Sequence, residues 1–407
     1  MEKSAELWKQ AESIVAHLNA GNTELFKTAL DEAAGNMIRT VVREASLAEN
    51  ILGVKTVTPD TPGVQKYKEI DGFYYMEDIE SNAIAMEASF RSEAEATFVD
   101  GKRYTIDIGL IKTEQSKKPE NELLAVPNLI EMLKENGANS IVRIQDALFM
   151  SMLYRATTAG IWTFPHNIQG DWSSGFVGSD LVNLIGLITD QELKPHKWIG
   201  SETAWNSLLN VDASDVGDKA GVYFENGHEI KQLYGLPFAA TIKGSLRGKI
   251  YTKYTGTGNI TITQVGATLA YTVAGDEITT LCTTGQVVVG DQFYCSDLEN
   301  GQVIAVGTAS ITVYQTDGLF DADSTKTLNW YIQNDGYYFD FNLVNGQKWT
   351  RVYQTVSREF LGKIIRMGTD KSWSKWEENI FFWSAGRDIG MGLGNIRGLS
   401  MISLRLT

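Results

Sequence analysis

The chain has 407 residues, of which 43% are hydrophobic, and it carries a formal net charge of −14. This length exceeds what one hydrophobic core usually supports, so we expect two or three globular domains. The acidic balance argues against a protein that wraps nucleic acid, because such binding places Lys and Arg against the phosphates. It is compatible with a container whose wall must not adhere to nucleic acid.

Cysteine content and hydropathy narrow the class further. Cys282 and Cys295 are the only cysteines, which is too few for a disulfide framework or a four-thiolate metal site and suits a reducing cytoplasm. The sequence contains no run of about eighteen apolar residues, and its first residues, MEKS, do not form an apolar signal core. We therefore expect no membrane segment.

Residues 1–70 are predicted to form an N-terminal helical arm. Apolar residues recur at helical spacing between charged ones; they include Leu7, Ile14, Leu18, Ile38, Val41 and Val42. The stretch from Pro59 to Gly63 breaks this pattern and indicates a linker.

Residues 71–124 are predicted to form an extended hairpin and peripheral strands. Apolar and polar residues alternate on both sides of Asp100-Gly101, a dipeptide typical of tight hairpin turns. An isolated two-stranded extension is marginal in water, so we expect a neighbouring subunit to cover its apolar face. The predicted assembly contacts are Phe98, Asp100, Gly101, Tyr104, Ile106 and Ile108. The polar run from Thr113 to Glu122 is interpreted as solvated.

Residues 125–249 are predicted to form a central α/β domain around a spine helix. Pro127 suits a helix start, Gly137 is predicted to stop that first helix, and Asn139 to cap a longer second one. The predicted apolar stripe of this spine helix is Ile141, Ile144, Leu148 and Met152. Further predictions are a short helix over 201–209 and a strand entered through the sequence YGLPF at 234–238.

Residues 250–350 are predicted to form an inserted all-β domain. Between 255 and 347 the chain has ten acidic residues and one Lys, an asymmetry that marks a separate module. Short strand-like runs are separated by turn signals such as Gly290-Asp291 and Asp335-Gly336, which indicates a small barrel or sandwich. Residues 351–407 are predicted to return as C-terminal peripheral and central strands. The predicted class is therefore α+β.

No motif in the sequence indicates a catalytic, cofactor-binding or metal-binding residue. The four histidines are scattered, and His228-Glu229 lacks the second histidine of a zinc protease helix. The glycines at 390, 392, 394 and 398 lack the βαβ context of a phosphate loop, so we interpret them as close backbone packing between strands. The acidic residues at 317, 321 and 323 lack the glycine and glutamate of a calcium loop. We therefore expect a structural protein, not an enzyme.

Two passages, SETAWNSLLN through YGLPFAATIK (201–242) and REFLGKIIRM through AGRDIGMGLGNIRGLSMI (358–402), resemble the capsid fold shared by tailed phages and herpesviruses. The element order matches as well: arm, extended hairpin, spine helix, central domain and returning strands. The resemblance implies a major capsid protein of a tailed bacteriophage. Such a protein forms pentamers and hexamers of an icosahedral virion shell around double-stranded DNA. Its expected partners are copies of itself, and scaffold, portal and decoration proteins; it is assembled in the host cytoplasm.

Three other interpretations remain open. The first is a shell protein of a bacterial cargo compartment with the same fold. The second is a phage tail or decoration protein whose β-domain binds a surface ligand, although a long helix argues against it. The third is a glycosidase, which needs two facing carboxylates that no pattern here nominates.

Overall fold

A computed structural model describes residues 46–58, 60, 64–67, 71–77, 103–119, 129–158, 166–170, 178–209, 220–225, 228–296, 298–317, 324–377 and 380–406. The chain divides into two compact units. Residues 1–146 and 362–394 belong to the first unit, and residues 147–361 and 395–407 belong to the second.

The helices are α1 (Leu47–Ile51), α2 (Leu129–Thr158), α3 (Gly178–Thr189), α4 (Glu202–Leu209), α5 (Asp276–Thr283) and α6 (Arg358–Leu361), with a 3₁₀ turn at Ile396–Gly398. The strands before residue 250 are β1 (Gly53–Val57), β2 (Val64–Tyr67), β3 (Asp71–Glu77), β4 (Arg103–Pro119), β5 (Asn167–Gly170), β6 (Pro195–Ser201), β7 (Ala220–Glu225), β8 (His228–Leu233) and β9 (Leu236–Thr241). The later strands are β10 (Thr252–Gln264), β11 (Ala270–Ala274), β12 (Gln292–Cys295), β13 (Leu298–Val306), β14 (Ser310–Asp317), β15 (Ser324–Gln333), β16 (Phe341–Asn342), β17 (Lys348–Val356), β18 (Gly362–Met367), β19 (Lys371–Glu377), β20 (Ile380–Leu393) and β21 (Leu399–Leu406).

The first unit is built on a sheet in the order β1-β18-β20-β4-β3-β2, with β19 paired to β20. Strand β1 runs parallel to β18, and the other pairs are antiparallel. The glycines in β20 allow close packing: a Cβ at Gly390 would lie 2.5 Å from the carbonyl oxygen of Asp107, and one at Gly392 would lie 2.6 Å from the side chain of Ile106. The predicted close packing between strands is confirmed for Gly390 and Gly392.

Helix α2 runs without interruption through Gly137 and Asn139. The prediction that one helix stops at Gly137 and another starts at Asn139 is wrong. A Cβ at Gly137 would lie 2.5 Å from Cζ3 of Trp383, so the missing side chain lets this buried indole lie directly against the helix. Contact with an aromatic ring, not helix termination, explains the glycine.

The second unit contains an eight-stranded sheet in the order β5-β21-β17-β6-β9-β8-β7, with β16 paired to β17. Helices α3 and α4 contribute apolar side chains to its core; this core includes Leu181, Leu184, Trp198, Trp205, Leu208, Phe238, Val352 and Ile402. The indole nitrogen of Trp198 donates to the carbonyl oxygen of Leu233 at 3.0 Å, which satisfies its buried donor. The short helix predicted over 201–209 is confirmed by α4, and the strand predicted after Tyr234 is confirmed by β9.

A closed barrel in the order β10-β11-β14-β13-β12-β15 also lies in the second unit. Helix α5 supplies Ile278 and Leu281 to the barrel core, where Phe293 and Trp330 are buried. Gly256 faces the indole of Trp330 so closely that a Cβ would lie 2.4 Å from the ring. The absence of a side chain at 256 therefore permits the large Trp330 ring inside a small barrel.

The predicted α+β class is confirmed, but several segment boundaries are not. Strands β1 and β2 lie within 1–70, which was predicted to be a helical arm, and residues 1–45 lie outside the described residues. Residues 113–119 belong to β4 and pair with β20, and the solvation of this run stays a prediction. The barrel ends at Gln333, because the following chain forms β16 and enters β17. That the barrel folds separately stays a prediction.

Candidate functional site

The residues predicted as hairpin contacts do not form one surface in the described structure. Phe98, Asp100 and Gly101 lie outside the described residues, and Tyr104 lies in β4 with its backbone paired to Met76. Two further residues of the set, Ile106 and Ile108, are 2% and 4% exposed and pack with Val57 and Ile365 of the same unit. The prediction that a neighbouring subunit buries these two isoleucines is wrong. They are already buried against Val57 of β1 and Ile365 of β18 in their own chain.

The predicted stripe of the spine helix is also corrected. Ile141 is buried, but Ile144 and Leu148 are 41% and 49% exposed, and Met152 is half-buried. The buried face of the helix is displaced from the predicted stripe by about one residue along the sequence, so it includes Gln145 and Asp146. Both residues are polar, so a count of apolar positions placed the face incorrectly.

Gln145 and Asp146 are buried because they bind the segment around α1. The Oγ of Ser46 donates to Oδ1 of Asp146 at 3.1 Å and accepts from Nε2 of Gln145 at 3.0 Å. The backbone N–H of Ala48 donates to the same Asp146 oxygen at 3.1 Å. Ser46 also caps α1 by accepting from the N–H of Glu49. These bonds fix the start of α1 against α2.

Arg387 of β20 lies at the centre of the same polar group. Its Nε and Nη2 each donate at 2.6 Å to the carboxylate of Asp370, a bidentate pair. Its Nη1 donates to Oε1 of Gln145 at 3.2 Å and lies 3.5 Å from Glu49. Glu49 in turn accepts from Arg366. The group therefore links α1, α2 and the sheet of the first unit.

A second group, the buried polar cluster of the second unit, consists of Tyr154, Lys253, Asp291, Asp335 and Arg351. The Nζ of Lys253 lies 2.5 Å from Oδ2 of Asp291, and their side chains are 7% and 0% exposed. The hydroxyl of Tyr154 donates to Oδ1 of Asp291 at 2.9 Å. Thus the start of β10, the turn before β12 and helix α2 meet at one carboxylate.

Arg351 of β17 completes this cluster. Its Nη2 and Nη1 donate to the two carboxylate oxygens of Asp335 at 2.7 and 3.3 Å, and Nη2 also donates to the carbonyl of Val289 at 3.1 Å. The guanidinium carbon lies 4.9 Å from the ring centroid of Tyr154 and 4.3 Å from that of Phe341. Cation–π contact and the hydrogen bonds of both terminal nitrogens together make a buried arginine tolerable, although Nε has no hydrogen-bond partner among the described residues.

Burial shifts the protonation equilibria of this cluster. Burial lowers the pKa of Lys253 and raises that of Asp291, and in each case the opposite charge of the partner opposes the shift. Burial raises the pKa of Tyr154 well above its ordinary value, and the carboxylate of Asp291 adds to that effect. Burial alone would lower the pKa of Arg351, but Asp335 and Tyr154 raise it overall.

The buried polar cluster is better suited to stabilising the second unit than to catalysing a reaction. Each buried charge faces an opposite charge, and the Tyr154 hydroxyl is already engaged as a donor. A cavity of about 270 Å³ lies beside Lys253; it is lined by Arg155, Thr158, Tyr251, Thr252, Lys253, Tyr254, Leu281, Gln286, Val287 and Ile332.

Within the described ranges no three His, Cys, Asp or Glu side chains are grouped so as to hold a metal ion. None of the described helices is both long and apolar enough to cross a membrane.

The sequence contained a partial signal for this cluster. Gly290-Asp291 and Asp335-Gly336 were interpreted as turns, and the positive φ angles of Gly290 and Gly336 agree with that. Turn residues are usually solvated, however, and both carboxylates are buried. The better signal was Arg351, a charge inside a strand that is buried from Trp349 to Val356 and therefore needs an acidic partner.

No protein-family model and no curated protein matches the chain. Among solved structures, the capsid of cyanophage P-SCSP1u is similar at 9% identity over 88% of each chain, with a TM-score of 0.46. A structure from Microbacterium phage Oxtober96 is similar at 6% identity over 88% of this chain and 91% of that one, with a TM-score of 0.44. The SrpI encapsulin of Synechococcus elongatus is similar at 8% identity over 88% of each chain, with a TM-score of 0.41.

At these identities the likeness concerns the fold alone.

Proposed function

We propose that this chain is a major capsid protein that assembles into pentamers and hexamers of an icosahedral virion shell around double-stranded DNA. The element order supports the proposal most strongly. In chain order, a 17-residue strand, a thirty-residue helix, strands and helices of a central sheet, an additional barrel and a returning strand of 14 residues agree with the capsid layout. The protein acts by assembly in the host cytoplasm and not by catalysis.

Exposed apolar side chains on α2 are consistent with self-association. Ile144 and Leu148 lie one helical turn apart and are 41% and 49% exposed, although the opposite face of the helix is buried. Single exposed apolar residues are ordinary, but an adjacent pair is more readily covered in an assembly. The net charge of −14 suits a shell that holds DNA without binding it tightly.

Assembly is the direct test. We expect the purified protein, measured by light scattering after size exclusion and by negative-stain microscopy, to form capsomers or closed particles. A species of 45.1 kDa alone, at high concentration and across a range of salt, would contradict the proposal. Particles recovered from an infected or co-expressing host are then treated with nuclease. Protected double-stranded DNA supports a virion shell, whereas a copurifying protein cargo without DNA supports the compartment shell instead.

Substitution of the exposed pair tests whether α2 takes part. Ile144→Asp combined with Leu148→Asp should lower particle yield at least several-fold while leaving the melting temperature of the free subunit within a few degrees. Val265→Asp, at a residue that is 43% exposed beside β10, is the matched control and should assemble normally. Equal yields from both variants would show that α2 is not a contact surface. Scaffold, portal and decoration proteins remain proposed partners that this assay can include one at a time.

A further inference from the structure

The outer wall of the barrel has an uncharged face on three adjacent strands. Strand β15 pairs with β10 on one side and β12 on the other. The outward side chains on these strands include Thr255, Thr257, Asn259, Gln292, Tyr294, Ser296, Thr327, Asn329, Tyr331 and Gln333. We call this set the neutral face. It contains no charged and no aliphatic residue, within a segment that has ten acidic residues and one Lys between 255 and 347.

Two tyrosines form an aromatic platform on the neutral face. Tyr294 and Tyr331 are direct cross-strand partners, and their ring centroids lie 4.6 Å apart with an interplanar angle of 22°. Both residues remain partly exposed. Cross-strand stacking orders the two rings before any ligand arrives, so binding would cost little side-chain entropy.

Polar groups lie beside this platform. The Oγ1 of Thr257 donates to Oδ1 of Asn329 at 2.7 Å, so the amide nitrogen of Asn329 remains a donor for a ligand. At the next outward pair on the same two strands, the Oγ1 of Thr327 donates to Oδ1 of Asn259. A groove of about 330 Å³ runs here; it is lined by Thr255, Gly256, Thr257, Tyr294, Ser296, Asn329, Trp330 and Tyr331. Its volume suits one or two small rings.

The residue types of the neutral face indicate which class of ligand it can bind. Nucleic acid needs cations for its phosphates in addition to aromatic stacking, and this face has none. The anchors of a protein interface are enriched in Trp, Phe, Met and Arg as well as Tyr, and none of the first four occurs among the outward residues. An aromatic face with hydroxyl and amide groups matches a sugar ring, which has apolar C–H faces and hydroxyl edges.

We propose that the neutral face binds a neutral carbohydrate, with Tyr331 and Tyr294 against the sugar ring and Asn329 and Thr255 on its hydroxyls. This activity is independent of shell assembly. In a shell subunit it would attach the particle to polysaccharide.

Affinity electrophoresis of the full chain in gels that contain polysaccharide tests the proposal. The neutral probes are dextran, yeast mannan, laminarin and galactomannan, and the anionic probes are polygalacturonate and heparin. We expect at least one neutral probe to retard the wild-type protein and neither anionic probe to do so. Tyr331→Ala should weaken that binding about tenfold or more, whereas Tyr331→Phe, which keeps the ring, should stay within about threefold. Circular dichroism of each variant establishes that the barrel is folded.

Tyr314→Ala is the matched control, because Tyr314 is a partly exposed outward tyrosine on β14 without a stacking partner across its two neighbouring strands. It should bind like the wild type. The proposal is overturned if no neutral probe retards the wild-type chain, or if folded Tyr331→Ala binds as well as Tyr314→Ala. It is also overturned if Tyr331→Ala changes particle assembly while no polysaccharide binds, since the face would then be a contact between copies. Because assembly is read out separately, failure of this proposal leaves the shell proposal standing.

Discussion

The ammonium group of Lys253 lies 2.5 Å from the carboxylate of Asp291, and almost no surface of either side chain is exposed. Two charges removed from water lose several kcal/mol of hydration each, which their attraction repays only when the geometry is good and other hydrogen bonds are made. Tyr154 and the backbone N–H of Val288 provide those bonds. The pair is thus stable as a unit, and each member depends on the other.

Breaking this pair should be costly. Lys253→Met leaves the Asp291 carboxylate buried without its partner, and we expect the free energy of unfolding to fall by about 3–5 kcal/mol. Adding Asp291→Leu to the same chain should recover part of that loss. Urea unfolding of the free subunit measures both variants. Lys371→Met, which breaks the more exposed pair with Asp388, is the control and should cost less than about 1 kcal/mol. Equal effects at 253 and 371 would contradict this account.

Two helical glycines should respond in opposite directions to the same substitution. Gly137→Ala places a methyl group 2.5 Å from Trp383, and we expect a loss of about 1–3 kcal/mol from overpacking. Gly186→Ala in α3 meets nothing within 4 Å and should stabilise the protein by roughly 0.5–1 kcal/mol through helix propensity. Thermal unfolding of both variants is the measurement. A gain in stability at 137 would mean that Trp383 does not rest against that glycine.

These positions show why the fold was partly predictable. The period of apolar residues and the turn dipeptides identify strands, the barrel segment and α4, because those signals are local in the sequence. Gly137 was interpreted as a helix stop because nothing local distinguishes a C-cap from a glycine that lies under an aromatic ring. The distinction depends on Trp383, which is 246 residues away in the chain.

The buried polar groups were missed for the same physical reason. Gln145 and Asp146 look like solvent-facing residues of a helix until Ser46 and Arg387 are brought against them. A polar side chain is buried only when its partners are in place, and the partners come from distant segments. Apolar periodicity therefore located helix α2 but not which of its faces is buried.

Stability should fall in mild acid through His166. Burial lowers the pKa of this histidine below its ordinary 6.5, and its Nδ1 lies 2.9 Å from the carbonyl oxygen of Leu399. The unfolded chain therefore takes up the proton at a higher pH than the folded chain, so stability is complete above pH 6.5 and is lost as pH falls through the folded pKa. Melting temperatures of wild type and His166→Gln between pH 7.5 and 5.0 measure this as a difference that shrinks with acid. The control is His196→Gln, which removes an exposed histidine and leaves the buried contact of His166 with Leu399 in place. A constant difference for His166→Gln would refute the prediction.

Strand β4 offers a direct test between its two possible partners, a neighbouring subunit or its own core. The sequence favoured a neighbour for Ile106, which predicts that its substitution lowers particle yield and spares the free subunit. The structure places Ile106 at 2% exposure against Val57 and Ile365, with Gly392 leaving room for it. Ile106→Ala should therefore lower the free energy of unfolding of the free subunit by about 2–5 kcal/mol. Leu110→Ala, on the same strand at 51% exposure, is the control and should change it by less than about 0.5 kcal/mol. Denaturant unfolding of unassembled protein gives both values, and light scattering of the folded fraction gives assembly. If Ile106→Ala leaves unfolding unchanged and only particle yield falls, the neighbour is the partner of this strand, and the packing of β4 against β1 and β18 does not hold in the free subunit.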